Sequence, residues 1–177
     1  MQARREMKYY APLLFIILLS LFSQAIFAKE KLPKGLIHLD NRQAPPLVLK
    51  DMDGGDFDLA NLRGKWVFVH FWATWCGPCR KEIPTIQKIL EDFKDSHLEF
   101  AIINTAESED LIFEFLGIVA PDIVPLMDND GLVTERWQPR GLPATFFVDP
   151  NGKLRYLALG GRPWDEALYK NFLSSLK

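Results

Sequence analysis

Trp66-Val67-Phe68-Val69-His70-Phe71-Trp72-Ala73-Thr74-Trp75-Cys76-Gly77-Pro78-Cys79-Arg80-Lys81-Glu82 carries the chain from one pattern of hydrophobicity into another. Its first seven residues form a continuous apolar run broken only by His70, as in a central strand buried on both faces. From Cys79 to about Phe93, residues Ile83, Ile86, Ile89, Leu90 and Phe93 recur on one stripe, as in an amphipathic helix, and Pro84 inside it should kink it. Cys76 and Cys79, the two cysteines of the chain, stand where the strand gives way to the helix. A C-x-x-C pair in that setting is the arrangement that thiol-disulfide exchange needs. Sulfurs three residues apart on a helix share a face, so they can close on each other with little backbone movement. At the helix N-terminus the first of them meets unpaired N–H groups and the positive end of the helix dipole. Both favour the thiolate, which is the attacking form.

Two plainer readings of the pair are weaker. A structural zinc site normally takes four ligands, and His38, His70 and His97 are scattered without ligand spacing. No metal is expected. A purely stabilising disulfide across so small a loop would constrain the unfolded chain by roughly 2 kcal/mol, against about 3 for a 15-residue loop.

Upstream of this stretch, Leu47 to Lys50, Asp53-Gly54-Gly55 and Phe57 to Leu59 read as a β-hairpin about a glycine turn. Downstream, Leu98 to Asn104 reads as a strand, Ser108 to about Gly117 as a short helix, and Ile123 to Met127 as another short strand. A brief helical segment should end near Trp137. Ala144 to Val148 and Leu154 to Leu159 then pair as an antiparallel hairpin, and a last helix from about Trp164 to Leu176 should turn Leu168, Phe172 and Leu173 inward. The fold class is α/β: a central mixed sheet flanked by helices, with an N-terminal hairpin extension.

The chain has 177 residues, 48% of them hydrophobic, which suits one globular domain, at 44–177, behind a leader. Arg4, Arg5 and Lys8 precede the apolar run Ala11 to Phe22, and small residues follow at Ser23, Ala25 and Ala28. That is the order of a secretory signal, so residues 1–28 are expected to be a signal peptide or an uncleaved membrane anchor. Tyr9 to Ala28 approaches the length that spans a bilayer, and the basic flank would keep the N-terminus inside. Either outcome places the domain in the periplasm or otherwise outside the cytoplasm. Residues 29–43 are polar and punctuated by proline, as in a linker. Without residues 1–28, which hold three basic residues and one acidic, the net charge moves from −2 to −4, which argues against nucleic acid as a partner. An exported protein with one closely spaced cysteine pair has not used disulfides as a framework, so their placement points to chemistry.

Val69 to Pro84, with its W-C-G-P-C-R-x-E-x-P run, and Gly141-Leu142-Pro143-Ala144-Thr145-Phe146-Phe147-Val148-Asp149 together resemble the thioredoxin superfamily, and within it the exported TlpA-like and ResA-like thiol-disulfide oxidoreductases. The resemblance runs from about Ala44 to the C-terminus. It implies a thioredoxin-like fold and a redox-active disulfide in which Cys76 is the exposed nucleophile and Cys79 the resolving thiol. It implies no organic cofactor. Pro143 matches the family's cis-proline facing the first cysteine, which makes Leu142 and Pro143 substrate contacts, while Trp75 offers an apolar docking surface. Glu82, three residues after the second cysteine, matches a glutamate that tunes the thiols, so it is expected to take the proton of Cys79. Gly77-Pro78 matches the dipeptide of reducing thioredoxins and points to a reductant. His70 departs from the family: it stands where thioredoxins carry a buried aspartate, and a neutral histidine hydrogen-bonded within the sheet is expected there.

The resemblance further implies protein disulfides as substrates, with apocytochrome c (as in cytochrome c biogenesis) and copper-handling envelope proteins as candidates, and an upstream membrane thiol as electron donor. Two rivals differ in class. A thiol peroxidase of the peroxiredoxin type would need P-x-x-x-T-x-x-C, and the residues before Cys76 offer no proline. A non-enzymatic module could hold Cu(I), a soft ion, or a protein through the two thiols without redox turnover.

Overall fold

The computed structural model describes residues 32–176. The N-terminal signal or anchor expected at residues 1–28 lies outside them. The elements run β1 (Leu36–His38), β2 (Val48–Asp51), β3 (Asp56–Asp58), a 3-10 turn (Leu59–Leu62), β4 (Trp66–Trp72), α1 (Gly77–Asp92), β5 (Leu98–Thr105), α2 (Glu109–Val119), β6 (Leu126–Asp128), α3 (Leu132–Trp137), β7 (Ala144–Val148), β8 (Leu154–Leu159) and α4 (Ala167–Ser175). The strands make one eight-stranded sheet in the order β1-β8-β7-β4-β5-β6-β2-β3. β4 pairs in parallel with β5 and β5 with β6, and the remaining neighbours are antiparallel. Among the described residues no helix is long and apolar enough to cross a membrane.

Every residue of β4 is buried, because both faces of the strand are covered. Trp66, Phe68 and Trp72 share one apolar cluster with Ile83, Ile86 and Ile89 of α1, Ile112 and Phe115 of α2, and Phe172 and Leu173 of α4. Val67, Val69 and Phe71 face the other way, onto Val133 and Trp137 of α3 and Leu47 beside the hairpin. The two-residue period of the strand thus divides the core into two layers.

Two expectations need correcting. Leu36–His38, within the stretch read as a linker, form an edge strand whose register is Leu36↔Ala158 to His38↔Tyr156. Its polar look has a physical cause: only Leu36 faces the core, while Ile37 and His38 are exposed. The expected N-terminal hairpin is β2–β3, and Lys50↔Met127 and Asp51↔Leu126 sew it onto β6. In α4, Leu168 is 53% exposed and the inward position belongs to Tyr169, at 6%, because at about 100° per residue Tyr169 lies between Phe172 and Leu173 on the helix surface while Leu168 falls to one side of that stripe.

Candidate active site

The register of the sheet gathers the site at the C-terminal end of β4. Trp72 lies beside Asn104 of β5, and Phe71 beside Ala144, the first residue of β7. The loop 73–76, the peptide Leu142-Pro143 and the end of β5 therefore meet at one edge of the core. The Leu142-Pro143 bond is cis. Cys76 leaves β4 in extended backbone (φ −82°, ψ 105°) and caps α1, and Pro78 sits in the first turn, where its missing N–H costs no helical bond.

Cys76 and Cys79 form a disulfide with Cα atoms 5.2 Å apart. The Cys79 N–H donates to Cys76 Sγ at 3.3 Å, so a free helix donor already points at the first sulfur. Cys76 keeps 5% of its surface in contact with solvent, whereas Cys79 keeps none. Next to this nearly sealed pair, Trp75 is 70% exposed, with Leu142 half-buried and Pro143 buried.

Glu82 follows Cys79 at the i+3 position of α1 and is likewise buried. Its Oε1 accepts the Arg162 backbone N–H at 3.1 Å and the indole N–H of Trp164. Among the described residues Oε2 has no hydrogen-bond partner. It borders a pocket of about 300 Å³ lined by Pro78, Lys81, Thr85, Gly161 and Arg162, among others. Burial pushes the carboxyl up to about 8, against the opposing pull of the Arg162 N–H, the Trp164 indole and the Arg162 charge. The solvated pairings available to a helix glutamate here are taken elsewhere. Lys88 pairs with Asp165 at 2.6 Å, and Arg80 lies over the Phe115 ring and donates to the Thr74 carbonyl.

His70 is fully buried, and its Nδ1 lies 2.9 Å from the hydroxyl of Thr145, its register partner on β7. Loss of hydration lowers it to about 3, so the ring is neutral at physiological pH.

Two further contributors leave little sign in the sequence. Glu107, just beyond β5, accepts the Thr74 N–H at 2.7 Å, the Thr74 hydroxyl and the Asn104 amide at 2.8 Å, and so pins the loop leading to Trp75 and Cys76. The loop 160–164 supplies both donors to Glu82 and, through the Gly160 N–H, bonds the Pro143 carbonyl at 2.9 Å. The glycine pair at 160–161 is the one local signal of a close backbone approach. A Cβ on Gly161 would lie 3.2 Å from the Pro78 carbonyl oxygen and 3.8 Å from Glu82 Oε2.

Comparison with known proteins agrees with this geometry. The AhpC/TSA family model matches residues 41–157. The thiol-disulfide oxidoreductase ResA of Bacillus subtilis is 29% identical over 181 residues, covering 100% of this chain and 97% of its own. A ResA of Bacillus cereus is 30% identical, with 74% of this chain and 73% of its own covered. The crystal structure of the thioredoxin domain of a thiol-disulfide oxidoreductase from Bacteroides vulgatus superposes with a TM-score of 0.65 at 26% identity, over 77% of this chain and 97% of that one. On the family match, the ResA relatives and the shared thioredoxin-like sheet, the chain belongs to the AhpC/TSA family and is a thiol-disulfide oxidoreductase.

Proposed function

We propose that the protein is a dithiol reductant of protein disulfides in the periplasm or an equivalent extracytoplasmic space. In the reduced enzyme the Cys76 thiolate attacks one sulfur of the substrate disulfide. A bond forms between Cys76 and that sulfur as the substrate S–S bond breaks, and the electron pair leaves with the other substrate sulfur as a thiolate. Cys79 then gives up its proton to Glu82 and attacks the Cys76 sulfur. The Cys76–Cys79 bond closes, and the second substrate sulfur leaves as a thiolate and is protonated. Two electrons have passed to the substrate, so a thiol donor must restore the dithiol, and a membrane thiol protein fits that need. The N-terminal segment, residues 9–28, would tether the enzyme near it.

One observation carries this reading: a reachable sulfur that accepts a helix N–H lies beside a sealed sulfur with a buried carboxyl one turn further on. A carboxyl raised to about 8 is close to an ordinary thiol in proton affinity, which is about 8.5 for free cysteine, so a proton can pass between them with little loss in either direction. Trp75, Leu142 and Pro143 form the surrounding surface and would receive the substrate chain. The reducing direction rests on Gly77-Pro78 between the cysteines. The test is the reduction potential of the pair, by equilibration against glutathione. A value near that of thioredoxin, about −270 mV, supports a reductant, whereas one near −120 mV makes the protein an oxidant.

A further inference from the structure

Arg162 is half-buried and holds its guanidinium by main-chain carbonyls. It donates to the Leu159 oxygen at 2.6 Å, the Gly161 oxygen at 2.7 Å and the Gly35 oxygen at 3.3 Å. The first two fold the loop back on itself. The third reaches across to the segment just before β1, which is also caught at the Lys34 carbonyl by the Tyr169 hydroxyl, 3.1 Å away. Gly35 fits against the guanidinium so closely that a Cβ there would lie 1.9 Å from it, and its φ of +85° suits glycine. The same arginine gives its backbone N–H to Glu82, and two residues earlier Gly160 bonds the cis-proline carbonyl.

We propose that Arg162 is a positioning residue that locks the N-terminal strap at Gly35 to the 160–164 loop and thereby sets the orientation of the Glu82 carboxyl. The proposal rests on the reading of Glu82 given above only for its effect on turnover, since the placement of the carboxyl is a matter of geometry. A side chain that merely filled space would need no fixed donors. Here three carbonyls fix the guanidinium, and the fixed loop aims one N–H at Oε1. The charged groups that line the pocket with Glu82 are Lys81, exposed on α1, and Arg162 on the loop, whose charge is the one that acts on the carboxyl, and the disulfide sulfurs do not titrate.

The experiment follows the Glu82 carboxyl by carbon NMR through a pH titration of the oxidised full chain, in wild type and in Arg162→Ala, Arg162→Lys and Gly35→Ala. Arg162→Ala should move the Glu82 midpoint upward by about half a pH unit or more, because an N–H donor and a positive charge are both displaced from the carboxylate. Arg162→Lys, which keeps the charge and can still donate to carbonyls, should return most of the way. Gly35→Ala, which keeps the arginine but pushes it off its seat, should also move the midpoint up. An unmoved midpoint in Arg162→Ala overturns the proposal. So does a shift in Arg162→Ala that lysine reverses while Gly35→Ala stays at the wild-type value, since charge alone would then explain it. The pH profile of turnover, measured on the same variants, separates the two readings. A midpoint that moves without moving the profile leaves Arg162 as the anchor of Glu82 and removes Glu82 from the chemistry.

Discussion

Replacing Glu82 by glutamine should make the protein more stable than wild type at neutral pH and above, while leaving the two close together in mild acid. The substitution preserves the acceptor that receives the Arg162 N–H and the Trp164 indole, and its NH₂ group takes the place of the unpartnered Oε2 at the pocket. What it removes is the ionisation. In the folded chain burial raises the carboxyl from 4.5 to about 8, so below 4.5 the group contributes its full share of stability, and that share is lost as pH rises through 8. Each pH unit inside the window corresponds to about 1.4 kcal/mol. The difference between glutamine variant and wild type should therefore grow by about 3 kcal/mol from pH 5 to pH 7, and level off above pH 9. Urea denaturation of both oxidised proteins at unit steps from pH 5 to 9, with slopes compared to confirm one transition, gives the difference directly. Parallel stability profiles across that range would refute the reasoning, because they would mean that Glu82 titrates alike in the folded and unfolded chains.

Three further outcomes are expected. His70, lowered to about 3 by burial, contributes stability above 6.5 that is lost as pH falls through 3, so His70→Asn should narrow its deficit against wild type by about 1.4 kcal/mol per pH unit between pH 6 and 4 in acid denaturation. Glu107→Gln sets an NH₂ group against the donors of Thr74 and Asn104; it should cost about 1–3 kcal/mol in urea denaturation. Leu173→Ala, in the core, should cost about 2–5 kcal/mol in the same assay, whereas Leu168→Ala, on the exposed face of α4, should stay within about 0.5 kcal/mol of wild type.

Much of this architecture is legible in the sequence because its strongest signals are local. The run Trp66 to Trp72 declares a strand covered on both sides, the isoleucine stripe of α1 declares the face it buries, and the cysteine pair marks the junction between them. Glu82 also stands out, through the resemblance of its run to the ResA-like proteins. What surrounds Glu82 does not, because its donors come from Arg162 and Trp164, some eighty residues later. No periodicity links positions so far apart. Glu107 is hidden for the same reason, since its carboxylate acts on Thr74 across the parallel pair β4–β5. β1 is hidden for another: an edge strand of three residues with one buried side chain has too few apolar positions to show alternation. Leu168 is misplaced because it and Tyr169 both lie within reach of the Phe172–Leu173 stripe, and the tyrosine, whose apolar ring carries a polar hydroxyl, is the less obvious candidate for the inward position.

Both ends of the eight-stranded sheet are closed by strands of only three residues, Leu36–His38 on one side and Asp56–Asp58 on the other, and the second carries two aspartates, one of them paired with Lys50 at 2.7 Å. Long open edges would recruit the extended segments of incompletely folded polypeptides and turn encounter into co-aggregation. Short margins discourage that kind of sticking, so a chain meeting this molecule finds little backbone to add to at the rim, which fits the proposed docking at the surface around Trp75.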